Sequence, residues 1–423
     1  MRLCQLAIGA FEPPDAVSAL VGIQTENGAR PAVTIRYRMR DGGEHRLHCR
    51  FAGDTLNTGR LRLVAVARDG GAPLGEVSLH MLRLWLDMFA VQSTNEVRRL
   101  QLPPQGPRVG TATAVLVQQL INAVVPAAIY VLLALGFNLV YGLGRQINLA
   151  YGELLTLGAY AGLSAAAVAL ALAPTLLALL LAAFVSATVW GVIHGWAVNR
   201  CVFVPLRGAA GQTAMIASVG LFIAIQEALR LLFGGRDFWL PPLLDARIPL
   251  VGSAGFQTAI SHGQLVVGAL VLLAVTAVLL SLGRSRLGRG YRACAEDRGM
   301  ATLVGIDTAR TTAVAFALAG LLAGLAGAIV LLYYGGAGFS IGTLYGLKGL
   351  TAAILGGLGS PVGAVFGGVL LGLLEALWSG YLSIAYRDVM VFGLLAGALI
   401  LLPRGLLGQG RNLRDPMIGA IRR

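Results

Sequence analysis

With 56% hydrophobic and only 13% charged residues among 423, and a mean hydropathy of +0.74, the chain is too apolar for a water-soluble globular protein of its length. Its formal net charge of +13 does not mark a nucleic-acid binder, because the arginines are scattered through loops and tail rather than laid along one soluble face; that distribution orients a protein across a lipid bilayer. The four cysteines, Cys4, Cys49, Cys201 and Cys294, stand far apart without ligand spacing and read as incidental thiols, so no disulfide framework, metal site or other cofactor is expected.

Residues 1–110 are ordinary in polarity. Met1 to Ala10, followed by Glu12-Pro13-Pro14, lacks the basic start and apolar core of a signal peptide, so the amino terminus is expected to be retained. Alternation at Val33, Ile35, Tyr37 and Met39, at Leu47, Cys49 and Phe51, and at Leu61, Leu63 and Ala65 predicts strands. Asp41-Gly42-Gly43 and Asp69-Gly70-Gly71 are hairpin-type turns, so a small β meander is expected. Glu76 to Leu100 reads as a helix too charged to span, with Leu82, Trp85, Leu86 and Phe89 on one side, and 103–107 (PPQGP) as a linker. No catalytic constellation is visible; a domain with a task of its own and an over-extended gene start both stay open.

Residues 111–408 carry apolar runs at 112–141, 147–172, 175–198, 213–233, 263–283, 312–334, 361–380 and 387–403, each near the roughly 20 residues a crossing needs. A shorter, glycine-broken run occupies 343–358. The two most basic regions, 285–311 and the tail 409–423 with Arg404 just before it, are expected to be cytoplasmic. An even number of crossings must then separate them, so the short run must cross as well. That makes nine crossings, against eight by length alone, and an outside amino terminus; Arg98, Arg99 and Arg108 argue for the other side.

Two elements are discontinuous: Ile147-Asn148-Leu149-Ala150-Tyr151-Gly152-Glu153 and Leu344-Tyr345-Gly346-Leu347-Lys348-Gly349 each lead into an apolar helix. Paired broken segments in the two halves point to a transport pathway at their interface. Asn148 could cap a half-helix whose positive end suits a carboxylate. Ionisable residues at membrane depth cost on the order of 3 kcal/mol or more, so each needs a partner or a wet path. For Glu153 and Lys348, lining the pathway or pairing with one another stands against a structural ion pair; Glu227 reads as paired with Arg230, and Glu375 fits either class. Ser360 and Pro361 begin a helix after a glycine-rich reversal, and Gly363, Gly367, Gly368 and Gly372, like Gly320, Gly324 and Gly327, let backbones approach.

The polar stretch 285–311 has a helical pattern between two apolar runs. Ala293, Met300, Leu303 and Val304 fall on one helical face with Glu296 beside them, Gly305 stops the helix, and Arg284, Arg286, Arg289, Arg292 and Arg298 flank the knob. An arginine-rich loop that only holds orientation is the plainer reading.

The words Arg292-Ala293-Cys294-Ala295-Glu296-Asp297, then Ala301, Leu303 and Gly305-Ile306, resemble the ATPase coupling loop in permease subunits of bacterial branched-chain amino acid ABC transporters, of the LivH type. Those permeases carry Ile-Asn-Phe-Ala-His-Gly-Glu where this chain has 147–153, with Tyr151 at the histidine; the run Gly349 to Glu375 is similar as well, and the likeness extends over about Val117 to Gly408. The resemblance implies an all-α polytopic membrane protein with the ABC importer permease fold and discontinuous helices, here preceded by a small β-rich segment. It implies location in the bacterial inner membrane, a second, LivM-like permease subunit, two ATP-binding subunits and a periplasmic substrate-binding protein as partners, and branched-chain amino acids as cargo. Urea or short amides remain open as substrates, and an ion-coupled secondary transporter or channel as another class. Asn148, Tyr151, Glu153 and Lys348 are the candidate pathway residues; Arg292, Ala293, Cys294, Ala295, Glu296, Asp297, Met300, Leu303 and Gly305 form the candidate coupling loop. No Gly-x-x-x-x-Gly-Lys-Ser/Thr phosphate loop occurs, since the one lysine is Lys348, so ATP hydrolysis is expected on partner subunits.

Overall fold

A computed structural model describes residues 17–26, 32–39, 43–53, 61–69 and 79, and residues 110–407 apart from 173–174, 207, 209–210, 236, 241–246, 254–255 and 403–404. The chain divides into two units, Met1–Pro103 and Pro104–Arg423.

The first unit contains an antiparallel four-stranded sheet in the order β1 (Val17–Glu26), β2 (Ala32–Met39), β3 (Glu44–Gly53), β4 (Leu61–Arg68). The alternation read from sequence sets its two faces. Ile35 lies opposite Leu47, Val33 opposite Cys49 and Phe51 opposite Leu63, all buried on one side. The other side exposes Arg36, Arg38, Arg46 and Arg50. Arg38 donates to Glu44 and, with Arg36 and Arg46 near, holds that carboxyl below its usual range. Strand β1, which lacks clean alternation, is an addition to the expected meander, and it reaches its register through two bulges against β2. One reading is corrected: Cys49 is disulfide-bonded, not an incidental thiol, while Cys201 and Cys294 are free. Cysteine spacing in sequence does not reveal which thiols a sheet brings together. The helix expected over 76–100, the linker at 103–107 and the basic tail 409–423 lie outside the described residues, apart from Leu79.

The second unit is helical: α1 (Thr111–Asn122), α2 (Val124–Gly144), α3 (Tyr151–Leu172), α4 (Leu176–Val198, continued as a π-turn to Phe203) and α5 (Gly211–Phe233). The short strand β5 (Phe238–Trp239) and the hairpin β6 (Arg247–Ser253) and β7 (Phe256–Ser261) lead into α6 (His262–Arg284). Two polar helices follow, α7 (Arg286–Glu296) and α8 (Arg298–Leu303), then α9 (Thr308–Ile329, continued to Tyr334). The strand β8 (Gly336–Ala337), α10 (Ile341–Gly356), α11 (Pro361–Tyr381) and α12 (Arg387–Leu401) complete it.

Among the described residues eight helices are long and apolar enough to cross a membrane, at nearly the positions the apolar runs predict, with α10 as a shorter ninth. Helix α10 begins shortly after β8, which pairs with β5. It ends at a turn whose Gly359 N–H donates to the Asn138 side chain at 2.5 Å, near the carboxyl end of α2. At 16 residues α10 is shorter than each of the eight spans.

Helices α2 and α9 form the buried centre. Their side chains are apolar all round, as expected of helices enclosed by other helices. The expected close approaches are present: a Cβ on Gly320 would stand 2.1 Å from the Gly191 carbonyl oxygen of α4, and one on Gly367 would stand 2.1 Å from the Ala352 oxygen of α10. In a membrane, where apolar burial gives helices little reason to associate, such contact supplies the van der Waals attraction.

Candidate functional site

The two elements read as broken meet, but only the first is interrupted: Leu344 to Gly349 lies within the continuous helix α10. Before α3 the chain turns on Asn148, whose side-chain oxygen accepts from the Ala150 N–H at 3.1 Å, while the Leu149 N–H donates to Ser218 at 3.2 Å. Asn148 thus closes the turn that precedes α3 and, contrary to the expectation from sequence, does not cap the helix, because its oxygen is taken by the Ala150 N–H before the helix begins. One residue into the helix Gly152 rests on α10: an added Cβ would lie 2.3 Å from the Gly342 oxygen and 2.8 Å from the Gly346 Cα.

That contact positions a polar chain at the junction. Glu153, fully buried in the first turn of α3, accepts from the Thr156 hydroxyl at 3.0 Å and from the Thr343 hydroxyl of α10 at 3.4 Å. Gln226 of α5 donates to Thr343 at 3.4 Å. The buried carboxylate is thereby met by one hydroxyl from its own helix and one from α10, the latter tied in turn to α5 through Gln226. Tyr151 is buried next to it, donating to the Ala319 carbonyl at 2.8 Å and meeting the Phe137 ring edge-on at 4.6 Å between centroids.

Lys348 does not pair with Glu153. Its ammonium lies 2.9 Å from Glu375 of α11 and 2.7 Å from Asp388 of α12, and Arg387 reaches the same Glu375 oxygen at 3.0 Å. Tyr130 of α2 donates to the other Glu375 oxygen. Two cations and two anions balance in this cluster, which ties α12 to α10 and α11. Of the two readings left open for Glu375, the ion pair is the one observed. Glu227 pairs with Arg230 at 2.7 Å, as the spacing predicts.

The stretch 285–311 forms three capped segments. Ser285 accepts from the Gly288 N–H at 3.0 Å at the start of α7, Asp297 from Met300 at 3.0 Å at the start of α8, and Asp307 from Arg310 at 2.9 Å at the start of α9. Gly305 has φ +83, the left-handed stop the sequence suggests. The single apolar face expected from Ala293 through Val304 is corrected: Asp297 is extended, with φ −148 and ψ 111, and breaks the helix there. Met300, Leu303 and Val304 are strongly exposed, Leu303 at 81%, while Cys294 and Ala301 turn inward and Ala293 and Ala295 are half-buried. Burial pushes the Cys294 thiol up, against the lowering effect of Thr311 and Arg298. Arg292 donates to the Leu282 and Gly283 carbonyls at the end of α6, and Glu296 is exposed.

One residue that the sequence did not single out connects this pair of helices to the membrane spans. Tyr291 of α7 donates to the Asn138 and Leu139 carbonyls of α2, at 3.2 and 3.1 Å. It fits because Gly142 has no side chain; a Cβ there would fall 2.2 Å from the hydroxyl. Burial raises the Tyr291 hydroxyl above its ordinary range, so it remains a donor.

The family model for the branched-chain amino acid transport system permease component matches residues 119–402. The chain belongs to that family. It is 37% identical over 293 residues to the high-affinity branched-chain amino acid transport system permease protein LivH of Salmonella typhimurium, and 38% identical over the same length to LivH of Escherichia coli K12. It is 35% identical to the corresponding protein BraD of Pseudomonas aeruginosa. Each alignment covers 69% of this chain and 95% of the relative. No solved structure matches. The permease is a multi-pass protein of the bacterial inner membrane, a transport component and not an enzyme in its own right.

Proposed function

We propose that this permease is the translocation subunit of an ATP-driven importer of branched-chain, hydrophobic amino acids. It works beside a second permease subunit, two ATP-binding subunits on the cytoplasmic face and a periplasmic substrate-binding protein. The observation that carries the reading is the α7–α8 pair. It presents Met300, Leu303 and Val304 as an exposed apolar knob on an arginine-rich segment, and it is fastened to the central helix α2 through Tyr291. A knob of this kind suits a groove in an ATP-binding subunit, and the Tyr291 contact carries its displacement to the spans. Arg292, Cys294 and Asp297 set the knob's shape, and Glu296 lies at its rim.

The junction of α3 and α10 is the proposed pathway element. Glu153 offers a carboxylate to the ammonium group of an amino acid, Thr156, Thr343 and Gln226 supply further polar contacts, and the surrounding apolar helices suit an aliphatic side chain. Asn148 and Tyr151 hold the start of α3. Lys348 acts through its ion pairs, keeping α10 in place against α11 and α12.

Affinity purification of the tagged chain from mild detergent tests the assembly. Recovery of a second permease together with nucleotide-binding subunits is the expected result. A clean homo-oligomer lacking any ATPase would refute the reading and leave the α7–α8 segment as an orientation signal.

A further inference from the structure

The family model begins at residue 119, past the sheet unit, and so supplies no role for it. We infer that this sheet unit is an extracytoplasmic domain of the permease; the inference rests on the proposed function for one point only, that α7 and α8 face the cytoplasm.

The central helix α2 fixes the geometry. Its carboxyl end meets the coupling segment through Tyr291. With 21 residues it is about 31 Å long at 1.5 Å per residue, enough to cross the hydrocarbon core once, so its amino end lies at the opposite face. Helix α1 precedes it there. Gln118 donates to the Ala259 carbonyl at 3.2 Å and accepts from the Ala259 N–H at 2.9 Å, which places α1 against β7. One crossing, α6, separates that hairpin from α7, so two independent routes put α1 opposite the coupling segment. Gly380, near the end of α11, agrees: an added Cβ would stand 2.3 Å from the Gln119 side chain.

Upstream of Gly110 no apolar run is long enough to return across the bilayer, because Arg83 and Asp87 interrupt the most apolar stretch. The arginines of the sheet unit do not oppose this placement. The positive-inside bias acts through short loops and the residues near span ends, whereas folded domains cross largely regardless of charge. By that measure Arg145 and Arg200 join the coupling-segment arginines on the inner connections. An independent observation comes from Cys49, which is disulfide-bonded, a state that persists outside the reducing cytoplasm.

The test uses full-length protein in intact spheroplasts and a membrane-impermeant maleimide. Gln24→Cys, exposed on β1, and Met300→Cys, exposed on α8, are each made in a Cys201→Ser background. The expected result is labelling of Gln24→Cys at least tenfold above background in intact cells, and of Met300→Cys only after permeabilisation. Labelling of both positions only after permeabilisation would overturn the inference. Labelling of Met300→Cys alone in intact cells would also overturn the extracytoplasmic placement, and would fault the coupling reading while leaving the opposite-face geometry of α2 standing. In the wild-type chain, denatured before labelling, Cys49 is expected to react only after reduction; reaction without reductant would remove the disulfide support and count against the placement.

Discussion

Replacing Lys348 by methionine, of similar length and without charge, tests the buried ion cluster most directly. Lys348 is 1% exposed and is held by Glu375 at 2.9 Å and Asp388 at 2.7 Å. Removing one partner of a buried pair costs about 3–5 kcal/mol, because the other charge stays desolvated. Here Arg387 remains 3.0 Å from the same Glu375 oxygen and Tyr130 still donates to the other, so the expected loss is smaller, about 2–4 kcal/mol. Asp388 is 43% exposed at its side chain and keeps solvent, so Asp388→Asn should cost no more than about 1 kcal/mol. The assay is the midpoint for thermal loss of monodisperse full-length protein in mild detergent. At roughly 2 °C per kcal/mol for a chain of this size, Lys348→Met should fall by about 4–8 °C and Asp388→Asn by about 2 °C or less. The double variant Lys348→Met, Glu375→Gln removes both buried charges and should recover most of the loss. Equal effects of Lys348→Met and Asp388→Asn, or a double variant as unstable as Lys348→Met, would refute the account of the cluster.

Glu153→Gln keeps shape and both threonine contacts but removes the charge, so uptake should fall tenfold or more while membrane insertion is unchanged; loss of expression would assign Glu153 to structure instead. Glu296→Arg with Met300→Asp reverses the charge and polarity of the exposed coupling surface and should separate ATP hydrolysis from uptake in reconstituted vesicles, whereas unaltered transport would dismiss the coupling assignment. Burial holds the Cys294 thiol above its ordinary range, so its reactive thiolate is scarce at pH 8 and increases only as pH rises through that elevated value. Maleimide should therefore modify the exposed Cys201 at least tenfold faster than Cys294 at pH 8, with the gap narrowing by pH 9.5; equal rates at pH 8 would contradict the packing of α7.

The sequence alone determined where the long spans lie, because these depend on local chemistry. A run of about twenty apolar residues has to be a helix in lipid, as its backbone can be satisfied in no other local way. Gly305 and Ser360 act within a turn of themselves, the one by its left-handed φ, the other by accepting from the Gly363 N–H. The likeness at 147–153 and 292–306 likewise belongs to contiguous words. What only the tertiary structure decided is which side chain meets which. Helices that are apolar all round carry no periodic signal of facing, so nothing local showed that Lys348 would find Glu375 and Asp388 and leave Glu153 to Thr156 and Thr343. The roles of Tyr291, Tyr130 and Asn138 were hidden for the same reason, and Cys49 gave no sign of its disulfide. Each of these depends on a partner distant in sequence, and one polar atom in an apolar interior is satisfied only by the neighbour that folding brings to it.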